Sequence, residues 1–313
     1  MHITMDEGER RELDTLLRGI RAQVHSHPEL SNREFETTKL VQRHLAALGL
    51  EPVELGLPTG AAALLRGGRP GQTVGLRADL DALPVTEQTG APYGSENEGV
   101  MHACGHDVHT SVLLGAAELL TKRREEIAGN ILFLFQPAEE AMVGARHVVE
   151  QGLFQRVKLS ALLGMHVWPQ LPRGEVGLRA GAFFAAVDNF RIVITGRGGH
   201  GSTPNLSRSP IGAGVALALA IPAIKAYDLP PTEPATVAVT LLQAGYCNNV
   251  IPDTCELQGT IRTFSEEARH IVAQRLQELT RSTATAWGCT GEAEISKGTP
   301  PLVNDEGLEQ VMA

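Results

Sequence analysis

The sequence predicts an α/β protein whose mainly parallel sheet is flanked by helices and interrupted by an inserted ferredoxin-like α+β unit. Three observations predict this. Short apolar runs at 72–78, 130–135 and 159–164 read as buried strands, and a helical pattern over 108–123 separates the first two. Over 188–296 the order of elements is strand, helix, strand, strand, helix, strand, the split ferredoxin-like arrangement. From Thr299 the first pattern resumes, so the second unit is read as an insertion. We expect the first domain to take 1–184 and 298–313, and the second 185–297.

In chain order, 9–27 and 33–48 read as amphipathic helices, with Leu13, Leu16, Leu17 and Ile20 on one face of the first. His25-Ser-His-Pro-Glu-Leu-Ser31 breaks them apart. The helix over 108–123 carries Val112, Leu113, Ala116 and Leu120 at helical spacing. In the second unit, strands are expected at 188–195, 235–243, 254–263 and 292–296, with helices at 210–226 and 265–286. Pro230-Pro-Thr-Glu-Pro234 reads as a loop, and Asn304 or Asp305 would cap a last helix.

Composition narrows the function. The chain has 313 residues, 42% apolar and 20% charged, with a formal net charge of -9. That balance offers no basic stripe to neutralise phosphates, which excludes a nucleic-acid partner. No apolar run approaches the ~20 residues that span a bilayer, and the acidic start Met1-His-Ile-Thr-Met-Asp-Glu-Gly-Glu is unlike a signal peptide. Four cysteines (Cys104, Cys247, Cys255, Cys289) are too few for a disulfide framework at this length, so a reducing cytoplasm is expected.

The densest chemistry lies in His102-Ala-Cys-Gly-His-Asp-Val-His109. Imidazole, thiolate and carboxylate are the ligands of a borderline divalent metal. A lone cysteine or histidine would more often be a core or surface residue, but here a polar residue able to bind metal follows each strand: Asp79 and Asp81 the first, Glu139 and Glu140 the second, and His166 the third. Ligands of open α/β sheets gather beyond the carboxyl ends of the strands, so all these residues point at one place. Cys104 and His106, two apart, would project together from an extended segment, and Asp107 would cap the following helix. Two carboxylates beside a metal suit one ligand and one base, with neither role assignable from chemistry alone. Gly196-Arg-Gly-Gly-His-Gly-Ser-Thr-Pro204 is not a phosphate loop, since it lacks the GK[ST] ending, and no G-x-S-x-G elbow supports Ser202 as a nucleophile.

At these residues the chain resembles the amidohydrolase branch of the M20 metallopeptidases, a branch that includes hippurate hydrolases, N-acyl-amino-acid amidohydrolases and auxin-conjugate hydrolases. The matching segments, in family order, are Leu76-Arg-Ala-Asp-Leu-Asp-Ala-Leu-Pro84, Met101-His-Ala-Cys-Gly-His-Asp107, Phe135-Gln-Pro-Ala-Glu-Glu140, Gly164-Met-His166, Gly198-Gly-His-Gly-Ser-Thr-Pro204, Asn249-Val-Ile-Pro252 and Gly259-Thr-Ile-Arg-Thr263. The resemblance implies that Cys104, His106, Glu140 and His166 hold a pair of divalent ions (zinc, manganese, cobalt or nickel). It implies that Glu139 is the general base, Asp79 the acid orienting the site, and His200 an oxyanion-stabilising residue. Asn249 and Arg262 would hold the substrate's carboxylate. The implied reaction is hydrolysis of N-acyl amino acids to a carboxylic acid and a free amino acid, in a homo-dimer or tetramer built through the inserted lid unit. Relatives in that branch continue with a last ligand histidine near His-His-Pro and a Ser-Glu-Asp-Phe stretch. Neither occurs here and no histidine follows His270, so a C-terminally incomplete catalytic domain is expected. The alternatives are a shortened, non-catalytic relative that dimerises or binds ligand without turnover, and a structural zinc protein.

Overall fold

The computed structural model describes residues 4–313 and divides after Pro172 into two compact units. In the first, α1 (Glu7–Ser26) and α2 (Phe35–Ala47) precede β1 (Glu51–Pro52), β2 (Ala61–Arg66) and β3 (Arg69–Asp79). Then come α3 (His106–Lys122), β4 (Ala128–Gln136), α4 (Gly144–Glu150), α5 (Leu153–Arg156) and β5 (Ala161–Gly164). The sheet order is β1-β2-β4-β3-β5. The three expected strands form the parallel part, β4-β3-β5, while β2 and β1 add an antiparallel edge.

Period-two alternation explains the layering. Ala61, Ala63 and Leu65 of β2 and Phe133 and Phe135 of β4 face α1, α2 and α3, packing on Ile20, Val24, Leu40, Val41, Leu113 and Leu114. Ala62, Leu64, Leu132 and Leu134 face the other way, against Val148 of α4 and Leu153 of α5. Burial on both faces is why these strands read as continuous apolar runs.

The second unit holds β6 (Gly181–Phe184), β7 (Ala186–Thr195), β8 (Gly199–His200), α6 (Pro210–Ala220), α7 (Ala223–Tyr227), β9 (Ala235–Ala244) and β10 (Val250–Ile251). It continues with β11 (Thr254–Thr263), α8 (Glu266–Ala286), β12 (Thr290–Lys297), β13 (Leu302–Asn304) and α9 (Glu306–Met312). The antiparallel sheet β12-β7-β11-β9 carries α6, α7 and α8 on one face, with Ile192, Ile194, Leu217, Leu257, Val272 and Leu276 at its centre. β7, α6, β9, β11, α8 and β12 reproduce the expected order.

The single helix expected at 210–226 is two, because Pro222 brings no backbone N–H and caps α7 instead. Ser265 caps α8 through Ala268 N, and Asp305, not Asn304, caps α9 through Leu308 N. β13 pairs with β6. No helix among the described residues is long and apolar enough to cross a membrane.

Candidate metal centre

Because β4, β3 and β5 are parallel neighbours, their carboxyl ends lie side by side, and the loops leaving them bring the acids and His166 together. Asp79 is the last residue of β3, Glu139 and Glu140 follow β4, and His166 follows β5. The fourth contribution comes from a turn over 101–105, where an extended segment was expected. Gly105 caps α3 in the left-handed conformation (φ 85°), and a Cβ there would stand 2.5 Å from Val167 Cγ2. Asp107 therefore does not cap the helix. Its buried carboxylate accepts from Arg21 Nε at 3.0 Å and pairs with His25 Nδ1 at 2.9 Å.

His106, the first residue of α3, is the hub. Its Nε2 lies 3.6 Å from Asp79 Oδ2 and 3.8 Å from both Glu139 Oε2 and Glu140 Oε1. Its Nδ1 lies 3.4 Å from Asp81 Oδ1. These separations exceed good N–H···O geometry, so both ring nitrogens are buried without a hydrogen bond among the described residues, as is Glu140 Oε1. Cys104 Sγ stands 3.4 Å from His166 Nε2. Two trios, Cys104 with His106 and His166, and His106 with Glu139 and Glu140, each keep their donor atoms within 4.8 Å and share His106. Asp79, His106 and His109 form a third.

Electrostatics follow from crowding. Burial opposes protonation of His106, yet Asp81, Cys104 and Asp79 outweigh it and hold the imidazole pKa up to about 11. Burial, with Asp79 and Glu140 close by, pushes the Glu139 carboxyl up. Burial would also raise Asp79, but His109, Arg77 and His106 hold it well below the usual carboxylate range. His166 is lowered by burial and by the neighbouring histidines, against the Val167 carbonyl. A pocket with this many acids suits a cation, and buried nitrogens lacking hydrogen bonds suit a metal.

The surroundings fix the orientation of these groups. Val167 N donates to His109 Nε2 at 2.9 Å, so His109 Nδ1–H donates to Asp79 Oδ1 at 2.6 Å. His166 Nδ1–H donates to the Val167 carbonyl at 2.7 Å, which places the lone pair on the nitrogen facing Cys104. Arg77 Nη1 donates to Asp79 Oδ2 at 2.6 Å. Asp81 accepts from Ser31 Oγ, Glu139 N and Glu140 N at 2.6, 3.1 and 2.9 Å. Asp79, named by sequence as the orienting acid, thus bonds His109 and Arg77 equally closely, and Asp81 lies nearer His106. Sequence reasoning missed Arg21, His25, Ser31, Glu34 and Arg77. For Ser31 and Glu34, the signal was the density of polar residues in the break between α1 and α2.

In the second unit, β8 pairs with β10 so that His200 lies opposite Val250, and Gly201 N donates to the Asn249 carbonyl at 2.8 Å. His200 Nδ1 pairs with Ser202 Oγ at 2.7 Å. Both residues stand at the Thr254 end of β11. Arg262 is near the other end, where its Nη1 donates to Thr260 Oγ1 and to the Ile261 carbonyl.

An α/β sheet with a cysteine, imidazoles and a carboxylate pair gathered at its parallel strand ends has the donor set of a metal-dependent hydrolase. Peptidase family M20/M25/M40 matches residues 75–313, and the chain belongs to it, as an M20-type metal-dependent amidohydrolase. The chain is 42% identical to the N-acetylcysteine deacetylase of Bacillus subtilis, over 93% of this chain and 76% of that one. It is 40% identical to the N-acyl-L-amino acid amidohydrolase of Geobacillus stearothermophilus, over 92% and 78%. The crystal structure of a Bacillus subtilis protein described as a dinuclear metal binding peptidase from the M20 family matches with a TM-score of 0.85 at 38% identity, covering 96% of this chain and 78% of that one.

Proposed function

We propose that the chain hydrolyses the amide bond of N-acyl amino acids, releasing a carboxylic acid and a free amino acid. The observation that carries this is the pair of donor trios sharing His106, whose buried nitrogens have no hydrogen bond among the described residues. Cys104, His106, Glu140 and His166 would hold two divalent ions of zinc, manganese, cobalt or nickel. When bound, the ions supply Lewis-acid polarisation of the acyl carbonyl and acidify water. Glu139, with its raised pKa, takes the proton from the attacking water and returns it to the leaving amine. Asp79 acts through His109, and Asp81 shares the orienting task.

His200 is proposed to steady the developing oxyanion, and Asn249 and Arg262 the substrate's carboxylate. Within one unit His200 and Arg262 flank opposite ends of β11, eight residues or roughly 25 Å of strand apart. A small N-acyl amino acid cannot reach both, which favours a homo-oligomer in which two copies supply them. Exposed Ile211, Val215 and Leu219 on α6, and Leu241 and Leu242 on the edge strand β9, offer an apolar surface for that assembly. We assign residues 1–184 and 298–313 to the catalytic domain and 185–297 to the lid; β6 and β13, on the two sides of the insertion, pair with each other, although both fall in the second compact unit. Four free cysteines favour the cytoplasm.

The test is metal analysis with hydrolysis of N-acetyl amino acids and N-benzoylglycine. We expect bound divalent metal and turnover, with Glu139→Gln slower by about 10²–10⁴-fold at unchanged metal content. Full activity in that variant removes Glu139 from the base role. Protein that binds metal but hydrolyses neither substrate overturns the proposed reaction.

A further inference from the structure

Glu34 is fully buried, 0% exposed, at the start of α2. Its position is that of a helix cap, yet its side chain makes no capping bond. Instead Oε1 accepts from Ala138 N at 2.7 Å and from Asn32 N at 3.0 Å, and Oε2 is buried without a hydrogen bond among the described residues. Both of those N–H groups belong to residues in the left-handed region, Asn32 at φ 64° and Ala138 at φ 52°. For a residue with a Cβ that conformation costs about 1–2 kcal/mol, and alanine, unlike asparagine, has no polar side chain to offset it. Met142, at φ 57°, lies in the same loop as Ala138, and its N–H donates to the Glu139 carbonyl at 2.7 Å.

A buried carboxylate holding a strained alanine is an expensive way to close a loop, and glycine at 138 with an apolar residue at 34 would close it with less strain. The reversal at Ala138 has a geometric result, however. Adjacent residues on an extended strand point to opposite faces, whereas here Glu139 and Glu140 both reach to 3.8 Å from His106 Nε2. Asp81 holds the N–H groups of those two residues, and Glu34 holds the N–H just before them.

We propose that Glu34 is a positioning residue that locks Ala138 in its left-handed turn so that the Glu139 and Glu140 carboxylates converge on His106. This rests on the metal-centre reading above and adds to it a residue that touches neither ligand nor substrate.

The test compares Glu34→Leu, which removes the acceptor, with Glu34→Gln, which keeps a carbonyl acceptor in its place. Two readouts are used: amide hydrogen exchange over 138–142 in metal-free protein, and cobalt(II) binding followed by absorption. We expect Glu34→Leu to speed exchange over that segment at least about 10-fold and to weaken cobalt binding about 10–100-fold, with exchange in β2 and β4 unchanged. Glu34→Gln stays within about threefold of wild type in both. The proposal is overturned if Glu34→Leu leaves exchange and affinity unaltered, if Glu34→Gln is as damaging as Glu34→Leu, or if lost protection spreads through β2 and β4. Wild-type protein that binds no cobalt overturns the metal-centre reading, while exchange at Ala138 still decides whether Glu34 holds the turn.

Discussion

The ion pair inside the second unit allows a quantitative expectation. Arg269 of α8 donates through Nε and Nη2 to the two oxygens of Asp188 on β7, at 2.7 and 2.6 Å, and the side chains are 7% and 2% exposed. Gly298 N also donates to Asp188, at 2.9 Å, and Glu266 meets Arg269 from the exposed side at 3.0 Å. Removing one partner of a buried pair strands the other charge and typically costs about 3–5 kcal/mol. Arg269→Met leaves Asp188 with only the Gly298 N–H among these donors, so we expect about 4 kcal/mol. Asp188→Leu costs less, about 2–3 kcal/mol, because the arginine can swing outward to Glu266 on its flexible stem. Replacing both partners together removes the stranded charge, leaving chiefly the orphaned Gly298 N–H at about 1–3 kcal/mol. The double variant should therefore be more stable than Arg269→Met alone, with a coupling energy of about 3–6 kcal/mol. Urea unfolding by circular dichroism on the four proteins of the cycle measures it. At roughly 2–4 °C per kcal/mol, the Arg269→Met melting point should fall by about 8–16 °C. A single-variant loss under 1 kcal/mol, or a double variant equal to the sum of the singles, would refute the reasoning.

Two further expectations concern the first unit. His102 is buried with neither ring nitrogen hydrogen-bonded among the described residues, and burial lowers its pKa to about 4. In the unfolded chain it titrates near 6.5, so between those values the unfolded state binds more protons. Its contribution is thus intact above about pH 6.5 and lost as the pH falls toward 4, on the order of 3 kcal/mol. Metal-free His102→Phe should gain that much relative to wild type between pH 6.5 and 4 in urea midpoints, and a pH-independent difference would count against it. In Gly144→Ala, the new Cβ would stand 1.6 Å from the Pro137 carbonyl oxygen, displacing the loop that carries Glu139 and Glu140, whereas Gly19 on α1 has nothing within 4 Å of its ideal Cβ. Gly144→Ala should lower stability by about 1–3 kcal/mol and Gly19→Ala raise it by about 0.5–1 kcal/mol; equal effects would show that the close approach is not limiting.

What could be read from sequence divides along physical lines. β4 was legible because burial on both faces leaves an uninterrupted apolar run, whereas β3, buried only toward its end, and β5, a half-exposed edge strand, were legible as short apolar runs that end at polar residues. β2 was not, although it is as buried as β4: Ala61-Ala-Ala-Leu-Leu lacks the β-branched and aromatic residues that distinguish a strand from a short helix. In the apolar stretch after Pro210, periodicity continued through Pro222 while the backbone could not. The residues proposed to bind metal could be picked out because each motif is local, a few residues around one strand end or turn. Their supports were not: His25 meets Asp107 across 82 residues and Glu34 meets Ala138 across 104. No period or spacing encodes such pairings, and a buried glutamate in a helix-breaking stretch looks the same as a solvated one.

The layered core and the loops do different work at this site. Packing of Phe133, Phe135 and Leu132 fixes where the strands end, but a strand end leaves the direction of the next side chain open. Direction here comes from hydrogen bonds to buried acids: Asp79 orients His109, Asp81 holds the Glu139 and Glu140 amides, and Asp107 ties α1 to the start of α3. Asp81 holds the amides of Glu139 and Glu140, and the upward shift at Glu139 comes from burial first and then from the charges of Asp79 and Glu140. The same acids that orient the site therefore load it with negative charge, which His106 and Arg77 offset only in part. A divalent ion would relieve that repulsion in the folded chain and not in the unfolded one, so cation binding and folding of the first unit are linked. The precision of the site and its demand for metal have one cause, the burial of its supporting carboxylates.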